Sequence, residues 1–319
     1  MTQRVSIIIC SYNAEADLRD CLASLELQDY PKMEIVIVND ASTDATARYL
    51  ETFKSRTPAE TVIVTNPSNL GVAGSRNAGI HKATGEILAF LDADCVADKS
   101  WISELVKTYE QRDAAAVGGR ILDARIENIW SLSNKGHDYV AAHEGPVPFV
   151  KGCNMSFRAD VLRRFMFNDE IRYGYEEILL CDSLHDAGYG VYYTPRAVVY
   201  HKHRTSAAGI FEQKYLRGMS SVWYMKKRGK FLCVYKRHVL LLAAIAALLV
   251  SGGNPTLVGF SAVCTLLFLL ILLREEILFA AKTLWEMLVT FPFLVAIEMA
   301  HAAGSCAGLV KFVILPKKH

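Results

Sequence analysis

The sequence predicts an α/β domain with a mainly parallel sheet, followed by an α-helical membrane region. Short β-branched runs alternate with stretches of helical periodicity through the first half of the chain. Polar residues stand at the ends of these runs, whereas long uncharged apolar runs occupy the C-terminal part. The hydrophobic fraction of 52% and the mean hydropathy of +0.19 are high for a soluble protein, and the excess lies beyond about residue 235.

The first two strand–helix pairs follow one another closely. VSIIICSYN (5–13) is a β-branched run with a polar end and predicts a buried parallel strand. MEIVIVNDAS predicts a second strand that ends near Asp40, and DATARYLETFKS a second helix with Ser42 or Thr43 as its N-cap. The intervening helix has four residues on one apolar face: Leu18, Cys21, Leu22 and Leu25.

The alternation continues with ETVIVTN as a third strand, SRNAGIHKA as a third helix and EILAFLDADC as a fourth strand. Parallel sheets bind ligands outside the carboxyl ends of their strands. The polar residues expected at that edge are Asn13, Asp40, Asp92 and Asp94.

Composition excludes several classes of protein. The net charge of +2 is too small to indicate nucleic-acid binding. The eight cysteines form no CxxC pair, so a zinc-finger or thioredoxin-type motif has no support, and their apolar surroundings suit reduced thiols. The N-terminal apolar run is too short for a signal peptide, so we expect the first domain to stay in the cytoplasm.

The membrane region is predicted from three apolar runs. Residues 239–250 and 256–273 flank SGGNP and predict a spanning hairpin, with a shallow re-entrant hairpin as the alternative. The third run, 284–315, contains Glu286, Glu298 and His301 and predicts a third span or an interfacial helix. The core of a soluble helical domain is the remaining alternative for all three runs.

Basic residues set the expected orientation. The stretch 226–237 before the hairpin and the terminal LPKKH are basic, which places the large domain in the cytoplasm and the protein in the inner membrane as a multi-pass chain. The predicted organisation is a catalytic domain over 1–225, a basic juxtamembrane segment over 226–238, a hairpin over 239–273 and a third helix with a basic tail over 274–319.

Two stretches could hold a phosphorylated ligand. In an extended segment Asp92 and Asp94 point to the same side, where they could bind a hard divalent cation; the alternative is a pair of exposed loop carboxylates. NLGVAGSRNAG (69–79) presents Arg76 near a helix start, where a phosphate or an acidic group is favoured; the alternative is a surface arginine. The stretch matches neither the dinucleotide fingerprint nor the P-loop.

Further residues could contribute to catalysis. Glu176 and Glu177 open a predicted helix, where one could accept a proton or both could simply favour the helix N-terminus. His201 and His203 share a face of an extended segment, where one could bind a metal or both could be ordinary surface histidines.

Together these motifs resemble those of family 2 inverting glycosyltransferases with the GT-A fold. The resemblance covers residues 4–225 and is carried by four segments in the family's order and spacing: residues 5–46, residues 69–95, KGCNMSFRADVL and YEEILLCDSLHDAGYGVYYTPRAVVYH. It implies a Rossmann-like, mainly parallel sheet. It also implies a nucleotide diphospho-sugar donor, with uridine as the expected base, and Mg²⁺ or Mn²⁺ as the cofactor.

The resemblance also implies roles for individual residues. Asp40 would hold the nucleotide base with Arg76, Asp92 would face the ribose, and Asp94 would bind the metal with His201 as a further ligand. Glu177 falls where the family has the aspartate of a Glu-Asp pair and would be the catalytic base, beside Glu176. The same resemblance places Ser11, Tyr12 and Asn13 at the base, and Gly152, Cys153 and Asn154 along the donor sugar and the acceptor.

A base is needed by a hydroxyl acceptor and not by an ionised phosphate. The candidate base therefore favours a hydroxyl acceptor. The predicted membrane hairpin suggests that this acceptor is a lipid-linked glycan in cell-envelope or polysaccharide assembly, and the resemblance implies one displacement with inversion. The alternatives are a polyprenyl-phosphate sugar synthase and a catalytically inactive sugar-nucleotide-binding membrane protein. The QxxRW motif of processive members has no match in EQKYLRGMSSVW, so we expect transfer of one or a few sugars.

Overall fold

The computed structural model describes residues 3–134, 143–170, 173–229 and 284–314. The chain divides into two compact units. The first comprises Met1–Ile126 and Asp138–His203, and the second comprises Glu127–His137 and Arg204–His319.

The first unit is built on one mixed sheet in the spatial order β3-β2-β1-β4-β8-β6-β9-β5, with β7 paired to β9. The strands β3, β2, β1 and β4 are mutually parallel, β8 runs antiparallel to both β4 and β6, and β9 runs parallel to β6. The strand bounds are β1 Val5–Ser11, β2 Met33–Asn39, β3 Thr61–Thr65, β4 Ile87–Leu91, β5 Cys95–Ala97, β6 Ala116–Arg125, β7 Gly145–Pro146, β8 Asn154–Arg158 and β9 Val191–Lys202. The predicted α/β fold class is confirmed.

Six helices pack around the sheet because their apolar faces are buried against it. The predicted face of the first helix is confirmed, since all four of its residues are fully buried. The bounds are α1 Glu15–Glu26, α2 Thr46–Arg56, α3 Gly71–Lys82, α4 Trp101–Gln111, α6 Ala159–Phe165 and α7 Glu176–Asp186, with α5 in the second unit.

Two predicted helix starts are wrong. Helix α2 begins at Thr46, and neither Ser42 nor Thr43 caps it, because both are engaged by Asn13 instead. Helix α3 begins at Gly71, four residues earlier than predicted. Arg76 therefore lies in the second turn of α3 and not at its start.

The segment FLDADC is not one strand. Strand β4 ends at Leu91, and the backbone N–H of Cys95 donates to the carbonyl of Asp92 at 3.0 Å, which closes a turn before β5. The prediction that Asp92 and Asp94 lie in an extended segment, with both carboxylates on the same side for that reason, is therefore wrong. Ala93 is buried between them, and both carboxylates are half-buried.

The described residues of the second unit contain α5 Ile129–Asn134, α8 Ala207–Arg228 and α9 Leu284–Leu309, which continues as a π-helical turn over Val310–Ile314. Small residues let α8 and α9 approach closely: a Cβ on Gly218 would lie 2.0 Å from the carbonyl oxygen of His301. Trp130 packs edge-on against Phe211 and Phe293 at 5.5 and 4.8 Å between ring centroids.

The predicted hairpin over 239–273 lies outside the described residues, as does much of the basic segment 226–238. The helical stretch Phe293–Ile314, with 22 residues and a mean hydropathy of 1.6, is long and apolar enough to cross a membrane by length and composition alone. It falls within the third predicted apolar run.

Candidate active site

The predicted site residues all belong to the first unit, at one edge of its sheet. Strands β1, β2 and β4 end there, and β8 begins there because Leu91 of β4 pairs with Asn154 of β8. Strand β9 ends at the same edge because it runs parallel to β6. The topology thus brings together residues up to about 190 positions apart in the chain, as ligand-binding edges of α/β sheets do.

Asp40 follows β2 and holds the start of α3. Its Oδ1 accepts hydrogen bonds from Asn66 Nδ2 and the Leu70 N–H, both at 2.8 Å, and its Oδ2 accepts from the Gly71 N–H at 3.0 Å. The acidic group favoured at this helix N-terminus is therefore supplied by the chain itself. Asp40 is 4% exposed, and Oδ2 makes a single hydrogen bond among those described.

The segment Ser11–Asn13 leaves β1 with its three side chains in different environments. Ser11 is buried, and its hydroxyl donates to the carbonyl of Val38 at 3.3 Å. Tyr12 is 51% exposed. Asn13 has a positive φ of 50°, and its Oδ1 accepts from the Thr43 N–H at 2.8 Å, so it orders the turn after β2. Of the three, Tyr12 and Asn13 have exposed side chains, and Tyr12 offers an aromatic ring.

Arg76 is buried and connects three parts of the site. Its guanidinium donates to Glu176 Oε1 at 2.6 Å, to Asp92 Oδ1 at 3.3 Å and to the carbonyl of Gly152 at 3.2 Å. The ring of Phe167 lies 5.5 Å from the guanidinium carbon. Burial alone would lower the pKa of Arg76, but the charges of Glu176 and Asp92 raise it, so the guanidinium stays protonated.

The two adjacent glutamates differ in their partners. Glu176 is 4% exposed and paired with Arg76 through Oε1, and Glu177 is 6% exposed. The Oε2 atoms of both have no hydrogen-bond partner among the described residues. Burial and the neighbouring charge of Glu177 raise the pKa of Glu176 to about 7, although Arg76 acts in the opposite direction. One arginine does not neutralise the carboxylates around it, so Glu176 holds a proton at higher pH than an exposed glutamate.

Strand β8 and the turn before it supply a backbone carbonyl to Arg76 and a buried side chain, that of Asn154, to the core. A Cβ on Gly152 would lie 2.7 Å from Arg76 Nη2, so this position must be small for the arginine to bind its carbonyl. Asn154 is fully buried, and its side chain bonds Trp101, Arg120 and Ala197 within the core. Its side chain is committed to holding strands together. Cys153 is 9% exposed.

Asp94 and His201 meet across the β5–β9 pair. Asp94 Oδ1 lies 3.6 Å from His201 Nε2, and both side chains are partly exposed. Two ligands of one cation, each about 2.1 Å from it, are separated by about 3 to 4 Å. An aspartate oxygen and an imidazole nitrogen suit divalent metals such as Mn²⁺, so these residues fit the cofactor that the resemblance implies.

Burial raises the pKa of Asp92, as does the charge of nearby Asp94, while Arg76 and His201 oppose the rise. A cation at Asp94 would therefore also stabilise the charge of Asp92. His203 is buried, and its Nε2 lies 2.7 Å from Asp123 Oδ1, so it belongs to a different pair from His201. The two imidazole rings are 4.9 Å apart, which confirms that they share a face.

Three residues of the site escaped sequence analysis. Asn66 bonds Asp40 and stands directly after β3, so the rule of polar residues at strand ends could have identified it. Phe167 under Arg76 has no signal in the sequence. Cys95 lies within 4.8 Å of the ligand atoms of both Asp94 and His201, and its position after Asp94 was the available signal.

Comparisons with known proteins identify the family of this chain. The family model described as "Glycosyl transferase family 2" matches residues 6–166, and one described as "Glycosyl transferase family group 2" matches residues 87–297. The first match covers half of the chain, and the chain therefore belongs to glycosyl transferase family 2.

Individual relatives are more distant. An uncharacterized glycosyltransferase from Haemophilus influenzae is 28% identical over 70% of this chain and 75% of its own length. A glucosyl-dolichyl phosphate glucuronosyltransferase from Haloferax volcanii is 30% identical over 50% of this chain and 53% of its own length. The chain thus spans about half of this second relative.

Solved structures share the fold. A mannosyltransferase from Pyrobaculum calidifontis in complex with GDP-Man and Mn²⁺ aligns over 96% of this chain and 88% of its own, with a TM-score of 0.66 and 19% identity. TarS from S. aureus in complex with UDP-GlcNAc aligns over 96% and 90%, with a TM-score of 0.52 and 15% identity. At these identities the likeness establishes the GT-A fold.

Proposed function

We propose that this protein is a membrane-anchored, metal-dependent inverting glycosyltransferase. It moves a sugar from a nucleotide diphospho-sugar to a hydroxyl group of a lipid-linked glycan. The observation that carries the proposal is the pair of buried glutamates at the ligand-binding edge. One is bound to Arg76 through Oε1, and each has an Oε2 with no hydrogen-bond partner among the described residues.

Glu177 is the base in this proposal. An acceptor hydroxyl needs a group that takes its proton as the oxygen attacks the anomeric carbon. Both glutamates have an Oε2 without a hydrogen-bond partner among the described residues, but Glu176 is held by Arg76 at 2.6 Å, so we assign proton acceptance to Glu177. The negative charge of Glu177 contributes to the raised pKa of Arg76, so Glu177 lies within electrostatic reach of the arginine that contacts Asp92.

The nucleotide is proposed to bind along the ends of β1, β2 and β4. Tyr12 offers an exposed ring for stacking, and Asp40 Oδ2 can accept a further hydrogen bond from a base N–H. Arg76 orients Asp92 towards the ribose through the 3.3 Å contact. Arg76 is 3% exposed and bound on three sides, so we assign it to positioning and not to direct contact with the base.

Asp94 and His201 would hold Mg²⁺ or Mn²⁺. When bound there, the cation supplies positive charge that stabilises the diphosphate as a leaving group. Asp94 is fixed for this task because its carbonyl accepts from the Lys202 N–H at 2.9 Å, next to His201 in the sequence.

The acceptor and the location are supported by chemistry and sequence. A phosphate acceptor needs no base, so the partnerless Glu177 oxygen favours a hydroxyl acceptor over a polyprenyl phosphate. The apolar helix over Phe293–Ile314 and the uncharged runs 239–250 and 256–273 support a multi-pass anchor in the inner membrane with the first unit cytoplasmic.

The proposal is tested by nucleotide release from a panel of sugar nucleotides, with Mn²⁺ or with EDTA. The comparison is between the wild type, Asp94→Ala and the control Asp113→Ala, whose side chain is fully exposed. We expect release from one donor, which EDTA and Asp94→Ala abolish and the control preserves. Failure to release nucleotide from any donor, even with membrane lipid extract as acceptor, would refute the activity.

A further inference from the structure

Asp94 and His201 have a third potential metal ligand beside them, the thiol of Cys95. The Cys95 Sγ lies 3.6 Å from Asp94 Oδ1, and Asp94 Oδ1 lies 3.6 Å from His201 Nε2. All three ligand atoms lie within 4.8 Å of one another. We propose that Asp94, Cys95 and His201 form a thiolate-containing site for Zn²⁺, a different cation class from the Mg²⁺ or Mn²⁺ of sugar transfer.

The separations match tetrahedral zinc. With Zn–S at about 2.3 Å and Zn–N or Zn–O at about 2.0 to 2.2 Å, adjacent ligand atoms in a tetrahedron lie about 3.3 to 3.7 Å apart. Both separations of 3.6 Å fall in this interval, and the third, between the Cys95 sulfur and the His201 nitrogen, is within 4.8 Å.

The fold holds the three side chains in place before any ion binds. Cys95 and His201 are direct partners in the antiparallel β5–β9 pair, so both side chains stand on the same face of the sheet. Asp94 precedes Cys95, and the Lys202 N–H fixes its carbonyl at 2.9 Å. Such preorganisation lowers the cost of ordering the ligands.

The exposure of the three ligands lets a cation enter the proposed site from the solvent side. Cys95 is fully buried at the inner end, whereas His201 and Asp94 have side chains that are 20% and 39% exposed. The ion would enter past Asp94. As the sulfur–zinc bond forms, the thiol proton leaves to solvent, so the step needs no oxidant or reductant.

The ligand set determines which cations use the thiol. Mg²⁺ prefers oxygen ligands in octahedral geometry, and a buried sulfur contributes nothing to it. Zn²⁺ and Co²⁺ bind imidazole and thiolate well. Bound Zn²⁺ would exclude Mn²⁺, because the two ions would share Asp94 and His201. This exclusion rests on the proposed function, whereas the zinc site itself does not depend on sugar transfer.

The test uses the purified full-length protein, freed of metal and titrated with Co²⁺ as a spectroscopic substitute for Zn²⁺. We expect a near-ultraviolet thiolate-to-cobalt charge-transfer band that Zn²⁺ displaces at one equivalent. The band should disappear in Cys95→Ser and remain in Cys181→Ser, whose thiol is equally buried but lies on α7.

Two measurements keep the test decisive if Cys95→Ser fails to fold. X-ray absorption of the wild type with one equivalent of Zn²⁺ should show one sulfur ligand at about 2.3 Å. Asp94→Asn, at a partly exposed position, should weaken Zn²⁺ binding at least about tenfold. Any of three results would overturn the site. They are a zinc ion with nitrogen and oxygen ligands alone, an unchanged Zn²⁺ affinity in Asp94→Asn, and a charge-transfer band that survives in folded Cys95→Ser. None of these readouts requires a sugar nucleotide, so failure of the proposed function would be recognised separately.

Discussion

Glu176→Gln should change how the stability of the first unit depends on pH. Glu176 is 4% exposed, and its pKa is raised from 4.5 to about 7 by burial and by Glu177. A group whose pKa is higher in the folded state binds its proton more tightly there. Its contribution to stability is fully present below about pH 4.5 and is lost as the pH rises through about 7.

The magnitude follows from the size of the shift. Each pKa unit corresponds to about 1.4 kcal/mol, so the shift of Glu176 contributes about 3 kcal/mol to the change in the free energy of unfolding across this interval. Glutamine has nearly the same shape and can still accept the Arg76 hydrogen bond, but it does not titrate. The difference in stability between the wild type and the variant should therefore fall by about 3 kcal/mol from pH 4.5 to pH 8.

The assay is urea denaturation at several pH values, followed by near-ultraviolet circular dichroism. Glu110→Gln is the matched control, because it is the same substitution at an exposed position on α4. Parallel stability curves for the wild type and Glu176→Gln between pH 4.5 and 8 would refute the raised pKa and the crowded carboxylates that cause it.

Three further substitutions test the packing of the site and of the sheet. Arg76→Met should destabilise the fold by about 3 to 5 kcal/mol, because Glu176 loses its buried partner, and adding Glu176→Gln should restore part of this loss in denaturation experiments. Gly152→Ala should cost about 1 to 3 kcal/mol, since its Cβ would lie 2.7 Å from Arg76 Nη2, and a melting temperature equal to that of the wild type would exclude this clash. Glu34→Ala should cost about 3 kcal/mol by leaving Ser6 and the Thr84 N–H without their acceptor, whereas nucleotide release per folded molecule should stay unchanged.

Local periodicity was sufficient to predict the first three strands of the sheet. The β-branched runs became β1, β2 and β3 because such residues pack well on a pleated, buried surface. The apolar face of α1 became a buried face because its spacing matches the helical period. The position of Asp40 at the end of β2 was predicted because it directly follows the β-branched run of that strand.

Long-range contacts explain what the sequence did not predict. Helix α3 begins early because Asp40, 30 residues upstream, accepts hydrogen bonds from the N–H groups of Leu70 and Gly71. Arg76 is buried because Glu176, 100 residues away, pairs with it. Local propensity contains no information about either partner.

The turn at Asp92–Asp94 has a similar explanation. The run EILAFLDADC was predicted as one strand although Asp92 and Asp94 are residues that strands disfavour. The chain leaves β4 at Leu91 and pairs next with β9 through Cys95–Ala97, so the break is set by which neighbour the strand meets. Long-range contacts also explain Asn154, which was expected along the donor sugar. Its side chain instead makes hydrogen bonds with Trp101, Arg120 and Ala197.

Replacement of the proposed base tests the central claim most directly. With the donor identified by nucleotide release, we expect Glu177→Gln to lower the turnover of sugar transfer by about 100-fold or more. Calorimetric affinity for the nucleotide with Mn²⁺ should match that of the wild type, because Glu177 contacts neither Asp40 nor Asp94 in any described hydrogen bond. Turnover in Glu177→Gln equal to that of Glu110→Gln would contradict the assignment of Glu177 as the base.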